Sequence, residues 1–500
     1  MSQRSVTIAL AVAAALVLAR SAVFLLWEQA GFDADQAIFG LMAKHIAEGR
    51  AFPAFLYGEG YLLAVQAWLA APLFAVFGSS VAMLKLPVVI VNVVTAALLV
   101  WVLYRDGGLR PATALVASLF FLVASPVMAK LLVETNGGNP EPFLYALLLW
   151  VLRDRPLAFG VVFAVGFIHR EFTAYGVTAM VAISLLADPR IRYERFKSAA
   201  LAAAGYLIVS QSVRTAYAFS TPFGPGTTID AALSAADVLA LTNRYCWVPE
   251  TIPASMLRLF GDYLGLPFGA TDHRLVDFGV RSQLPVRLAG VPPFWPVLGT
   301  ILAAALVRVL WIAVRDRRPL WRGPGAVATF LLLIGLQSGV VYAVARCGRL
   351  EADTFRYALL MLYVGVGIVA LYFIYEPKRA GRWIMTAVMI AWAAISAAGH
   401  VRLFEEYVTR EPAGPHRALA SYLVERGIRY ARADYWTAYT TTFFANEQVV
   451  VASTDTVRIE EYQRQVAAHD RDAVQVQREP CAGPGEEAVT GNYWVCRPVK

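Results

Sequence analysis

Charge is scarce in this sequence. Of its 500 residues only 16% are Asp, Glu, Lys or Arg, while 58% are hydrophobic. An average soluble domain carries roughly a quarter charged residues. The surplus apolar residues fall in long blocks, which excludes an ordinary water-soluble domain and indicates a bilayer. The mean hydropathy of +0.54 agrees. Recognisable soluble-enzyme signatures are also missing: there is no G-x-G-x-x-G, no Walker loop, no H-E-x-x-H and no C-x-x-C. No internal repeat is visible, which argues against a transporter built from duplicated halves. No small-residue cleavage site closes the first apolar block, roughly Val6 to Trp27, so it is expected to persist as a membrane helix. The formal charge of +8 suggests nucleic acid at first sight. The basic residues, however, cluster in short loops between apolar blocks, which is a topology signal and leaves no nucleic-acid patch.

A half-polar segment covers 61–77, and the apolar blocks lie near 6–27, 84–104, 111–133, 140–152, 156–170, 172–187, 198–213, 291–314, 325–345, 357–375 and 383–399. They predict an α-helical polytopic membrane protein of about eleven spans. Arg105, Arg110, Arg153, Arg155, Arg190, Arg192, Arg195 and Lys197 fall on the side of the N-terminus, as do Arg315, Arg317, Arg318, Arg322, Lys378, Arg379 and Arg382. By the positive-inside bias that side is the cytoplasm. The expected domains are therefore a membrane domain, 1–400, with outer loops 28–83 and 214–290, and a small soluble α/β extracytoplasmic domain, 401–500. The four cysteines all fall outside, where disulfides persist. Cys481 and Cys496 are placed to close a loop, and Cys246 and Cys347 to tie two outer loops; four free thiols are the alternative. An aromatic segment of the tail, Tyr435, Trp436, Tyr439, Phe443 and Phe444, is suited either to sugar stacking or to a core.

Chemistry concentrates at the outer side. FDADQAIFGLMAKHIAEG, residues 32–49, puts Asp33 and Asp35 just beyond the first span, at the start of an amphipathic helix expected to lie along the membrane surface. Two carboxylates there suit a general base for a hydroxyl acceptor, or a divalent cation against phosphate oxygens. One of them serving only as a helix cap is the plain alternative. Basic groups also stand where outer loops should lack them: Lys85, then His169 and Arg170 in GFIHREF, then Arg346, Arg349 and Arg356 in RCGRLEADTFRY. Guanidinium geometry matches a phosphate at the outer leaflet. Snorkelling, or pairing with Glu134, Glu171 or Glu351, would explain them equally. Glu134 begins a further outer turn, ETNGGNPEP, and Glu59 and Tyr61 lie in the first outer loop.

The first span, Asp33, Asp35, the amphipathic helix and FPAFLYGEGYLLAVQAWLAAPLFAVFG (52–78) together resemble the GT-C superfamily of membrane glycosyltransferases. The nearest pattern is the bacterial branch of protein mannosyltransferases and aminoarabinose-to-lipid A transferase. SSVAMLKLPVVIVNVVTAALLVWVLYR (79–105) and FRYALLMLYVGVGIVAL (355–371) extend the resemblance. It implies a polyprenyl-phosphate sugar donor in the outer leaflet and transfer with inversion to a lipid, glycan or protein acceptor. It further implies an acidic residue at the Asp33 position acting as base or metal-associated acid, and basic residues on the donor phosphate. By position Lys85, Arg170 and Arg356 fill the last role, with Glu59, Tyr61, Glu134 and His169 as further substrate contacts. Ala34 separates the two aspartates, whereas family members often carry adjacent acids. Asp33 is expected as the base and Asp35 in a supporting or metal role, a divalent ion being the one cofactor expected. A surface-polysaccharide ligase or polymerase is the alternative, and a transporter or flippase a further one.

Overall fold

The structure is a computed structural model that describes residues 3–59, 62–189, 193–220, 248–269, 294–346, 350, 353–481, 487–489 and 493–496. The chain is a multi-pass membrane protein: six of its described helical segments are long and apolar enough to cross a bilayer. They do not add up to eleven. The first is α1 (Gln3–Leu26), followed by α2 (Ala34–Ala47), α3 (Val65–Phe77) and the long α4 (Val81–Arg105). Ser80 caps α4 by accepting a hydrogen bond from the Met83 N–H at 3.3 Å, relieving one of the donors that every helix start leaves open.

The block expected as one span over 111–133 is broken into α5 (Pro111–Ala117), α6 (Leu119–Leu122) and α7 (Pro126–Val133). Pro126 cannot continue a helix from Ser125, because the ring removes an N–H and biases the preceding residue away from the helical region. Three shorter apolar helices follow, α8 (Glu141–Val151), α9 (Pro156–His169) and α10 (Ala174–Ala187), then α11 (Tyr193–Ala218). Most of the loop expected outside over 214–290 lies outside the described residues. Part of what is described packs inward: α12 (Ile252–Arg258), α13 (Gly265–Phe268) and the turn between them put Leu259, Tyr263, Leu266 and Phe268 into the bundle core. Ser125 donates to the Leu266 carbonyl at 2.9 Å and Trp392 Nε1 to the Phe268 carbonyl at 2.9 Å, locking the insertion in place.

The bundle closes with α14 (Phe294–Arg315), α15 (Gly325–Val344), a 3-10 stretch from Asp353 to Met361 that leads into α16 (Leu362–Tyr375), and α17 (Arg379–Thr409). Polar ties between helices replace the hydrophobic drive that lipid cannot supply. Arg20 of α1 donates to Asn92 of α4 at 2.8 Å, and Asn92 donates on to the Leu132 carbonyl of α7 at 2.7 Å.

The last long helix runs past the boundary expected at 400/401. The tail then forms α18 (Pro415–Glu425), β1 (Tyr430–Ala433), α19 (Tyr435–Phe444), β2 (Val450–Ser453), α20 (Glu460–Ala468), β3 (Val474–Gln477), β4 (Glu487–Val489) and β5 (Tyr493–Cys496). The sheet order is β2-β1-β3-β5-β4. β1 lies parallel to both β2 and β3, and β5 is antiparallel to β3 and β4. Cys481 and Cys496 form the expected disulfide. The pairing of Cys246 with Cys347 lies outside the described residues.

The small sheet module sits on α2 and α3. Phe443, Tyr439, Tyr435 and Tyr462 share one apolar cluster with Ile38, Phe39, Met42 and Phe74, so the aromatic segment is core, the second of its two sequence readings. Gly40 makes the contact feasible: a Cβ there would lie 2.4 Å from Phe443 Cε2. Ion pairs ring the contact. Arg417 holds both oxygens of Glu28, at 2.7 and 2.5 Å. Glu447 takes Lys44 at 2.5 Å, the Tyr462 hydroxyl at 2.8 Å and His45 Nε2 at 3.0 Å, and also pairs with Arg50.

Candidate functional site

Two aspartates begin α2, and the backbone gives them different tasks. Asp33 is the cap: its backbone is extended and its Oδ1 accepts the Gln36 N–H at 3.1 Å. That is the bland role the sequence also allowed, and it occupies one oxygen. Oδ2 has no hydrogen-bond partner among the described residues. Asp35, one residue into the helix, is held from two sides. Tyr435 of the sheet module donates its hydroxyl to Oδ1 at 2.7 Å, and Arg356 stands 3.4 Å from Oδ2.

Burial and the adjacent Asp35 charge push the Asp33 carboxyl above its ordinary range, while the Gln36 N–H, Arg356 and Lys130 pull the other way. The Glu134 carboxyl is pushed up to about 7 by burial; Lys130 opposes the shift and Asp33 adds to it. Asp33, Glu134, Lys85, Lys130 and Arg356 are thus close enough to feel one another. Lys85 is 1% exposed and donates to the Ala30 carbonyl at 3.0 Å, directly beneath the loop that carries Asp33. Lys130 packs its methylenes against Gly31, where a Cβ would lie 2.6 Å from Lys130 Cε. Gly31 has φ +65° there, so a side chain at that position would be both strained and obstructed.

Gln36 and Gln66 fasten this start of α2 to the ETNGGNPEP turn. Gln36 donates to the Gly31 carbonyl at 2.7 Å and accepts the Thr135 N–H at 3.2 Å. Gln66 accepts the Gly137 N–H at 2.8 Å and donates to Glu141 at 2.7 Å. The turn in turn receives Arg170, which donates to the Gly137 carbonyl and, at 3.2 Å, to the Asn136 carbonyl.

Three guanidinium groups surround one phenol. Arg346, Arg356 and Arg170 stand 5.0, 5.3 and 6.0 Å from the Tyr357 ring centre. Like charges gathered beside hydrocarbon cost energy unless something offsets them, and within the described residues Arg356 is the one with a carboxylate, Asp35. Buried polar atoms without a protein hydrogen bond gather at the same place: Arg356 Nε, Arg346 Nε, Asn136 Oδ1 and His169 Nε2. Such atoms are rare in folded proteins and mark where a polar ligand fits.

The structure thus brings together Asp33, Asp35, Lys85, Glu134, Arg170 and Arg356. His169 reaches only the edge of the group: it is fully buried, its Nδ1 is 2.9 Å from the Tyr145 hydroxyl, and its Nε2 faces Gly138. Glu59 is set apart, paired with Arg458 of the sheet module. Tyr61 lies outside the described residues. Two members, Lys130 and Tyr357, escaped the sequence reading, and a third, Tyr435, stands in it only as a sugar-stacking or core aromatic. Lys130 sits inside an apolar run, and a lone lysine there was signal enough. Tyr357 was hidden beside the more conspicuous Arg356. Tyr435 is 400 residues from Asp35, and nothing local announces that contact.

A metal ion fits this donor set poorly. Both Asp35 oxygens are taken by protein donors, and Asp33 spends one oxygen on its cap. Among the described residues no group of three or more His, Cys, Asp or Glu side chains is arranged to hold an ion.

No protein-family model matches the sequence. No curated protein matches it either. Solved structures do. The chain is similar over 99% of its length, and 98% of the other, to ArnT from Cupriavidus metallidurans bound to undecaprenyl phosphate, with a TM-score of 0.60 at 11% identity. The same transferase in its apo state gives a TM-score of 0.54 at 10% identity, over 94% of this chain and 92% of that one. The match takes in the membrane bundle and the tail together, so this chain shares the fold of that ArnT from end to end.

Proposed function

We propose that this chain is a glycosyltransferase that moves a sugar from a polyprenyl-phosphate donor to an acceptor hydroxyl at the outer face of the cytoplasmic membrane. The observation that carries the reading is the carboxylate pair at the start of α2, set against Arg356, Lys85 and Lys130 on three separate elements. The ArnT structure that contains undecaprenyl phosphate supports the donor class. The positive-inside bias supports a cytoplasmic N-terminus and an extracytoplasmic sheet module.

The chemistry follows from the parts. An acceptor hydroxyl is a weak nucleophile and needs its proton taken as it attacks. Asp33 Oδ2 is the acceptor for that proton, and the raised affinity of its carboxylate makes it a stronger base than an ordinary aspartate. The hydroxyl oxygen bonds to the anomeric carbon from the face opposite the phosphate. The carbon–oxygen bond to the phosphate breaks, and polyprenyl phosphate leaves with the electron pair. Arg356, Arg170 and Lys85 are the groups for that growing negative charge, fixed before the reaction begins. Asp35 holds Arg356, and Tyr435 holds Asp35. No step is assigned to a metal.

The test is direct. Purified protein is incubated with a radiolabelled polyprenyl-phosphate sugar and extracted envelope acceptors. Label should pass to an acceptor and free polyprenyl phosphate should accumulate. An intact donor in every acceptor fraction would overturn the proposal. Alkaline phosphatase fused at the C-terminus should be active if the sheet module is outside; a stable but silent fusion would reverse the orientation.

A further inference from the structure

The far end of the bundle carries a second basic site. α4 starts beside the aspartates and ends at Arg105, and at about 1.5 Å per residue it crosses roughly 35 Å between the two ends. Past its end lies a cavity of about 890 Å³, walled by the loop 107–110 and the start of α5, by Arg318 and by the junction of α16 with α17. Four arginines line it, Arg110, Arg318, Arg379 and Arg382, and no carboxylate does. The neighbouring acids are engaged elsewhere: Glu376 accepts from Arg308 at 2.9 Å and from the Lys378 N–H at 3.0 Å, Asp106 accepts from Trp150 Nε1 at 2.7 Å, and Asp316 pairs with Arg315 at 2.6 Å.

Topology accounts for arginines in loops at this end of the molecule. It does not account for four of them, brought from three separate segments, converging on one cavity with an apolar back wall. Two of the four are anchored: Arg382 donates to the Glu376 carbonyl at 2.7 Å, and Arg318 stands 5.1 Å from the Tyr375 ring centre. The side chains of Arg110 and Arg379 have no hydrogen bond or ion pair among the described residues. Phe373 closes the cavity on the bundle side. Trp383, 62% exposed on α17, marks its mouth as opening toward lipid, since exposed tryptophan on a spanning helix sits at the headgroup level.

We propose that this cavity binds the phosphate headgroup of an anionic phospholipid from the leaflet opposite the transfer site. The arginines take the phosphate oxygens through paired N–H donors, and the acyl chains leave past Trp383 along α17. Basic pockets between membrane helices are suited to such headgroups. The site stands apart from the reading of the aspartate cluster and does not depend on it.

The full-length protein in mixed micelles, titrated with phosphatidylglycerol, phosphatidylcholine or inorganic phosphate and examined by native mass spectrometry, tests this. Wild type should retain phosphatidylglycerol over phosphatidylcholine, and millimolar phosphate should not displace it. Arg110→Ala with Arg379→Ala should lower the phosphatidylglycerol adduct about tenfold or more. Arg110→Lys with Arg379→Lys keeps the charge but loses the paired donors, and should leave an adduct between those of wild type and the alanine pair. Equal retention of the two lipids, or an alanine pair that binds as wild type does, would overturn the proposal. Displacement by phosphate would show a free-anion site instead. A lysine pair that binds no better than the alanine pair would show that charge at these positions does not hold the lipid, and would overturn the proposal as well.

Discussion

Asp33 and Asp35 leave the same helix start in different states. Asp33 is half-buried beside a like charge, so its proton affinity rises, and it keeps one oxygen unbonded. Asp35 is fixed by Tyr435 and Arg356. A base must be deprotonated to work, so transfer should fall as pH drops. Because the Asp33 value is raised, the fall should begin at a higher pH than the roughly 3.9 of a free aspartate would give. A kcat profile that stays flat down to that ordinary value would exclude Asp33 as the base. Tyr435→Phe removes the hydroxyl that orients Asp35 and leaves the ring in its cluster. It should lower kcat by about 10-fold to 150-fold, the worth of one hydrogen bond to a charged group, with donor KM little changed. Unaltered kcat would remove Tyr435 from the site. At this scale the sequence was informative wherever a charge interrupts an apolar block: Asp33, Asp35, Lys85, Arg170 and Arg356 all stand out that way. What it could not show is which oxygen a cap consumes, or that Glu59 would spend its charge on Arg458.

At the scale of elements, α2 is the pivot, because one of its faces presents the site and another receives the sheet module. Gly40 is where the second face is thinnest. Gly40→Val should destabilise the docked module by about 1–3 kcal/mol through overpacking against Phe443, seen as faster proteolysis between α17 and α18. Adding Phe443→Ala should return part of that loss, since the two side chains then no longer collide; equal proteolysis in all three proteins would place the contact elsewhere. Inside the module, the disulfide closes a loop of sequence separation 15. Its removal by Cys481→Ser and Cys496→Ser should cost about 3 kcal/mol of module stability, read from a denaturant titration of the membrane-embedded protein. The long apolar helices were legible from hydropathy, α2 from its amphipathic pattern, and the tail as a small α/β module. The break of 111–133 was written in Ser125-Pro126 and outweighed by the hydropathy around it. β3, with its alternation of Val and Gln, is too short to announce itself among polar neighbours.

Across the whole molecule, the sheet module completes the site, since Tyr435 reaches Asp35 only while the module is docked. Glu447 is the ionic centre of that docking. Despite burial, its hydrogen bonds and charge contacts to His45, Arg50 and Lys44 depress its pKa. A depressed carboxylate contributes stability that is complete above its unfolded value, about 4.3, and is lost as pH falls through the lower folded value. The module should therefore remain docked from neutral pH down to about that unfolded value and loosen only in stronger acid. Glu447→Gln should weaken docking by about 1–2 kcal/mol at neutral pH, because it removes charge-assisted hydrogen bonds across the contact while Glu48 still pairs with Lys44 and Arg50. This assembly is what the sequence could not reveal: residues 35, 356 and 435 meet only through tertiary packing, and no local pattern encodes so distant a contact.

The account rests on Asp33 as the group that takes the acceptor's proton, and one substitution isolates that role. Asn caps a helix as well as Asp does, so Asp33→Asn should keep the start of α2 and lose only the base. Sugar transfer from a labelled polyprenyl-phosphate donor, measured at saturating donor for wild type and Asp33→Asn side by side, should drop by about 100-fold to 10,000-fold while donor binding persists. Turnover by Asp33→Asn at the wild-type rate would contradict the account.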